Sequence, residues 1–340
     1  MAKATLEEVR MDNGPVIVDM HFDLLTALYE RRGQSGVLRR DFLPGWQAGG
    51  LGVIGVAIYL EAHYLPEMGL RVALDQVARL YAEVAITPEL ALCRTYDEIL
   101  SARAAGQIAL LLTMEGVEPL GADPDLLRVF YELGLRSLGL THARRNAAAD
   151  GALVAPSGSS PAGLTPFGRE IVRQCEALGI ILDLAHLNPA GFDEVLNLTS
   201  RPLIISHTNP RHFYDIERNS SDAQMRQVAE RGGVIGLSTF FIAHSAAETT
   251  LDRYVEQLVY VADVAGWDAV GLGMDFVRFI YDTLSDEVKA TLPPVYFMAD
   301  LYEHSHLPAL IARLEAQQIS SNNIDKLLGG NFQRLFATCL

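Results

Sequence analysis

Cysteine is scarce in this chain: three residues in 340, Cys93, Cys175 and Cys339, far apart and with no CxxC pair. That argues against a disulfide framework and a thiolate zinc site, and it fits a reducing compartment. Positive charge is short as well. The 27 Lys and Arg stand against 42 Asp and Glu, a formal net charge of -15. A surface of that sign is wrong for nucleic acid, whose binders rest on cationic contacts to phosphate. It is equally wrong for docking on anionic lipid. No apolar run reaches the ~18 residues of a membrane helix. The opening segment, MAKATLEEVRMDNG, has no apolar h-region and reads as no secretory signal. Residues 332–340 are too short and polar for a lipid-anchor signal. The expectation is a cytoplasmic protein. There is no GxSxG, HExxH or P-loop motif, and the GLG at 271–273 lacks the third glycine of a dinucleotide fingerprint.

What the chain does have is a repeated alternation. Short apolar runs at 15–20, 52–60, 108–114, 135–141, 180–184, 202–206, 234–238 and 269–273 are bounded by Gly, Pro or polar residues. Near-continuous apolarity marks parallel strands covered on both faces. Between them, 70–86, 170–178, 223–231 and 251–265 carry the apolar spacing of amphipathic helices. Eight strands alternating with helices predict one (β/α)8 barrel, a single domain over 1–340. A doubly wound sheet shares that alternation, since sequence counts strands better than it shows closure. The irregular stretch 151–166, rich in Gly, Ser, Pro and Ala, reads as a lid or a surface loop.

In such barrels the catalytic groups come from the C-terminal ends of the strands. The first run leads into Asp19-Met20-His21-Phe22-Asp23, and strict alternation puts Asp19, His21 and Asp23 on one face. Later runs end at Glu115, His142, His186, His207 and Asp275. A lone histidine after a strand is ordinarily a hydrogen-bonded rim residue. The conjunction changes that reading, because closure gathers these ends at one mouth, where so many titratable groups need a partner for their charge. Imidazole and carboxylate without thiolate suit zinc, with manganese, iron or cobalt possible alternatives. Five ligand candidates exceed one tetrahedral zinc, so a two-metal site bridged by a carboxylate is expected. His63, beyond the second run, is a candidate for the mouth. His212, His244, His304 and His306 read as loop or helix residues, and Trp46 and Trp267 as packing.

At these residues the chain resembles the zinc-dependent dipeptidase family typified by membrane (renal) dipeptidase, within the amidohydrolase-like barrels. The motifs are DMHFD at 19–23, EG at 115–116, LTH at 140–142, GLTPFGREIV at 163–172 and DLAH at 183–186. SH at 206–207, ERNSSD at 217–222, GLGMDF at 271–276 and GGNFQRLF at 329–336 complete the series. The resemblance implies that His21 and Asp23 bind one zinc, His186 and His207 the other, and that Glu115 bridges the two. It implies that Asp275 shuttles the proton, His142 faces the developing oxyanion and Arg218 holds the substrate carboxylate. The activity implied is hydrolysis of dipeptides, L,D-dipeptides included, by a metal-bridged hydroxide, and the resemblance alone implies a homodimer. Two alternatives stay open at this point. One is hydrolysis of another N-acyl amino acid or lactone; the other is isomerisation or tautomerisation of a peptide-derived metabolite. The chain departs from the family pattern at Phe22, Thr208, Asn209, Val277 and Arg278, and it lacks a tyrosine at 237–243. These departures bear on substrate range and leave the ligand set intact.

Overall fold

The computed structural model describes residues 16–152, 162–289 and 294–340. The opening segment read for a signal and most of the stretch 151–166 lie outside them. Nine strands are present among the described residues: β1 (Ile17–Phe22), β2 (Leu51–Ile58), β3 (Leu90–Cys93), β4 (Ile108–Glu115), β5 (Leu135–Gly139), β6 (Ile181–Asp183), β7 (Ile204–Thr208), β8 (Val234–Leu237) and β9 (Val270–Leu272). All pairings in the sheet are parallel, and they run β1-β2-β4-β5-β6-β7-β8-β9 and back to β1. This is a closed eight-stranded barrel with helices in the crossovers, and it decides the alternative left open by the sequence. Its ring strands are the eight apolar runs.

β3 was not anticipated. It lies outside the ring, paired with the first half of β4 from Leu90–Ile108 to Cys93–Leu111, while β5 takes the second half. Only four residues long, and buried fully only at Leu90 and Cys93, it carries too little pattern to stand out.

Two cores position the mouth. Val18, Met20, Val53, Ala109, Leu111, Ile181, Ile204 and Val234 fill the lower barrel and are closed off by Phe332, Leu335 and Phe336 of the C-terminal helix. The larger cluster lies between the ring and the outer helices. The helix Gly69–Ala85 shows how an outer helix seats itself: Val72, Ala73, Gln76, Val77, Leu80 and Glu83 are buried at helical spacing. Buried Glu83 is satisfied by the backbone N–H groups of Gly36 and Leu38, both at 3.0 Å. No helix among the described residues is long and apolar enough to cross a membrane.

The upper barrel is narrow because small residues face each other there. A Cβ on Gly273 would lie 1.7 Å from the Ser206 carbonyl oxygen, and one on Gly236 2.0 Å from the same atom. Both contacts are with backbone, which has little room to yield. Gly273→Ala is therefore expected to lower stability by about 1–3 kcal/mol, the usual range for overpacking. Thermal unfolding checks this, and an unchanged Tm would show that the approach does not constrain the ring.

Candidate metal centre

The sequence-predicted residues converge. His21 is the penultimate residue of β1 and Asp23 stands just past its end; Glu115 ends β4, and His207 lies within β7. His142, His186 and Asp275 each stand three residues past a strand, after β5, β6 and β9. One oxygen of Glu115 lies 3.0 Å from His186 Nε2, 3.2 Å from His207 Nε2 and 3.8 Å from His21 Nε2. His21 Nε2 is also 3.8 Å from Asp23 and 3.9 Å from Asp275. The His21 and His207 rings stack at 3.7 Å, and His142 packs on His186 at 4.4 Å. Three overlapping sets result: His21, Asp23 and Glu115; Glu115, His142 and His186; and His21, His207 and Asp275. Within each set the ligand-type atoms lie within 4.8 Å of one another. His186 and Asp275 hold positive φ, 62° and 56°, which turns their side chains off the strand ends into the mouth.

The electrostatics call for a cation. Burial disfavours charge on His21, yet Glu115, Asp23 and Asp275 outweigh it and lift the imidazole to about 9. Burial pushes Asp23 well above the usual carboxylate range, and the charge of Glu115 adds to the rise. Burial likewise raises Asp275 to about 7, with Glu115 adding to it against His21 and Arg218. A proton on His21 thus serves as counter-charge for three crowded carboxylates. His186 and His207 are driven well below their ordinary value by burial, so their imidazoles are neutral and keep a free lone pair. His21 Nε2 and Asp23 Oδ1 are buried without a hydrogen-bond partner. Neutral imidazoles, crowded carboxylates and orphaned donor atoms fit a divalent metal with nitrogen and oxygen ligands.

Around this cluster lie groups that aim it. Ser206 Oγ is 2.7 Å from His207 Nδ1 and also bonds Asp183. Asp183 in turn accepts from the Ser206 and Ala185 N–H groups at 2.8 and 3.0 Å. This serine–carboxylate relay fixes the ring so that Nε2 faces Glu115. His142 packs on Tyr59 at 4.8 Å. Arg144 bonds the Tyr59 hydroxyl, Glu118 and the Leu60 carbonyl, tying the loop that carries His142 to the ends of β2 and β4. Burial holds His142 down at about 4, leaving it a neutral imidazole. Arg218 is buried, donates from Nη2 to the His207 carbonyl at 2.8 Å, and faces the carboxylates of Asp275, Glu115 and Asp183.

Several readings are corrected here. Asp19 does not share a face with His21 and Asp23, because the β1 register shifts between Asp19 and Phe22. It bonds His304 instead, a buried residue that the sequence gave no reason to single out. His63 is exposed. Phe22 turns into an aromatic cluster with Phe42, Trp46 and Phe279. Thr208 Oγ1 bonds Ser220, and Asn209 donates to the Phe240 carbonyl. Arg278 pairs with Asp282 and packs on Tyr302. These departures from the family pattern are packing and loop-locking residues. Tyr59 and Arg144 carry no signal in the sequence because tertiary contact alone brings them to the site; Ser206, quoted in the SH motif, is given no role there though it stands beside His207.

The comparisons with known proteins agree with this fold. The sequence pattern of the family described as "Membrane dipeptidase (Peptidase family M19)" matches residues 8–339. Dipeptidase verJ of Clonostachys rogersoniana is 29% identical over 267 residues, 78% of this chain and 64% of its own length. Dipeptidase tcpJ of Claviceps purpurea is 26% identical over 266 residues, 77% of this chain and 57% of its own. The chain thus spans about three fifths of the length of these curated relatives. Among solved structures, a metallopeptidase from Rhodobacter sphaeroides liganded with a phosphinate mimic of the dipeptide L-Ala-D-Ala is 29% identical. It superposes with a TM-score of 0.83, over 97% of this chain and 100% of that one. A second metallopeptidase, dipeptidase AC, is 29% identical with a TM-score of 0.84, over 96% and 99%. With a match running from residue 8 to residue 339 around a barrel mouth of this composition, the chain belongs to the membrane dipeptidase family.

Proposed function

We propose that this protein is a dipeptidase with a binuclear zinc centre, and that its substrates include L,D-dipeptides. The observation that carries the reading is the single Glu115 oxygen facing three imidazoles, His21, His186 and His207, at 3.0 to 3.8 Å. Such a carboxylate suits a bridge, with His21 and Asp23 as ligands on one side and His186 and His207 on the other. When bound, the two ions supply Lewis acidity and bring the pKa of water toward neutrality. The chain's own residues do the rest. Asp275, beside His21 and half-buried, takes the proton of the attacking water and returns it to the leaving amine. Neutral His142 offers an N–H to the oxygen that gains charge at the scissile carbonyl. The inclusion of L,D-dipeptides is supported by the L-Ala-D-Ala mimic in the related Rhodobacter sphaeroides enzyme. The direct test is incubation of the zinc-loaded protein with L-Ala-D-Ala and L-Ala-L-Ala. Release of free alanine from the L,D-dipeptide is expected, and both dipeptides left intact would defeat the reading.

Arg218 gives the site its preference for a free carboxyl terminus. A fixed guanidinium offsets the repulsion that Asp23, Glu115 and Asp275 exert on a substrate carboxylate, and it binds that group bidentately. Dipeptide amides are therefore expected to be much poorer substrates than free dipeptides. Arg218→Met should erase the difference and cost roughly 2–5 kcal/mol in kcat/KM, with metal content unchanged. Parallel kinetics on free and amidated dipeptides check this. Equal rates with the wild type would remove Arg218 from that role.

A further inference from the structure

The seam that closes the barrel is thin where the chemistry is. β1 and β9 share one register pair among the described residues, Asp19 with Leu272. Beyond it β1 loses its regular register, yet His21 leaves from one side of the seam and Asp275 from the other. What holds the two sides together is a side chain. Asp19 Oδ1 accepts the His21 N–H at 3.2 Å and the Met274 N–H at 2.8 Å, so one oxygen spans the seam. The Asp275 N–H reaches the His21 carbonyl at 3.3 Å, completing the link. The other oxygen, Oδ2, accepts from His304 Nε2 at 2.7 Å.

His304 is built into its place. It is 4% exposed and comes from a segment 285 residues further along the chain. Phe22, Phe276 and Trp46 surround its ring at 4.9, 5.0 and 6.3 Å. Its backbone is pressed on the end of the helix Leu43–Ala48, where a Cβ on Gly49 would lie 2.2 Å from the His304 carbonyl oxygen. Phe22 and Phe276 carry no donor, and Trp46 Nε1 makes no hydrogen bond, so the imidazole N–H is what anchors Oδ2. Without it Asp19 is held through Oδ1 alone, and the clamp across the seam loses its outer anchor.

We propose that His304 is a positioning residue, which through Asp19 sets the spacing of His21 and Asp275 across the barrel seam. It touches neither substrate nor metal. This rests on the roles given to His21 and Asp275 under the proposed function, and it adds a residue from outside the strand-end cluster.

The test compares the wild type with His304→Phe, which keeps a ring in the aromatic cage but removes the donor, and His304→Gln, which keeps an N–H donor. Zinc affinity is read by chelator competition, and kcat and KM on L-Ala-D-Ala separately. His304→Phe is expected to lose about 10–100-fold in metal affinity, the usual cost of removing an outer-shell partner. Its kcat should fall while KM changes little, because Arg218 lies elsewhere on the rim. His304→Gln should recover most of both. That rescue separates positioning from packing, since a packing role would favour the phenylalanine. Wild-type affinity and kcat in His304→Phe would overturn the proposal. So would equal losses in the two variants. Should His304→Phe not fold, Asp19→Asn replaces it, keeping an oxygen for the His21 and Met274 N–H groups while weakening the His304 bond. Wild-type values in that variant would likewise overturn the proposal. A wild type that binds no zinc and leaves the dipeptide intact defeats the proposed function instead, so the two failures are distinct.

Discussion

Glu115→Gln is expected to strip the protein of both metals while leaving its fold intact. The reason is geometric: one oxygen of Glu115 faces His186, His207 and His21 within 3.8 Å, so it reaches both halves of the cluster. Glutamine keeps the size of the side chain and one of its acceptors but removes the charge. The substitution should lower kcat/KM by at least ~10³-fold, beyond the ~10–100-fold that follows loss of an outer-shell partner. His186→Ala gives the contrast, since it should weaken one metal site and largely spare the other. Elemental analysis beside circular dichroism checks both variants. A folded Glu115→Gln protein holding two equivalents of zinc would exclude the bridging role.

The second large effect is expected at Asp275. Asp275→Asn preserves volume and hydrogen bonding but cannot take a proton. It should lower kcat by roughly 10²–10⁴, the range for general acid–base groups. A structural explanation, in which Asp275 merely pairs with Arg278, has lost its footing because Arg278 is paired with Asp282. The closest charged neighbour of Asp275 is His21 at 3.9 Å, and Ser238 Oγ donates to its second oxygen at 3.4 Å. Stopped assays with metal content measured in parallel decide the matter. Normal turnover at full metal content would remove Asp275 from the proton path.

Much of the site was legible because barrel strands carry their chemistry at fixed places. His21, Asp23, Glu115, His142, His186, His207 and Asp275 all stand at or just past apolar runs. Strand count and direction were therefore enough to send them to one mouth. The longest helix on the outer layer was legible for the same reason, its apolar spacing predicting 70–86 against the observed Gly69–Ala85. Some of the motifs that carry the resemblance are structural. Thr165 caps the helix Pro166–Leu178, and a Cβ on Gly168 would lie 2.4 Å from the Ala148 carbonyl, which accounts for much of GLTPFGREIV. In GGNFQRLF, Asn331 donates to the Trp267 and Val270 carbonyls at 2.7 and 2.8 Å, and Gly329 makes room for Val16.

What escaped was whatever depends on contact across the chain. The alternation rule placed Asp19 beside His21, but an irregularity in β1 sent it to His304. Phe22 looked like a change of specificity, and it is a core aromatic. The short β3 lacks the length that makes a strand visible. Tyr59 and Arg144 act through partners 85 and 26 residues away, beyond the reach of a local pattern.

The most direct test of the two-metal centre is the zinc stoichiometry of the intact protein, purified without chelator, saturated with zinc, freed of excess and measured by elemental analysis. The account predicts two equivalents per chain; a well-folded protein that takes up one or none would contradict it.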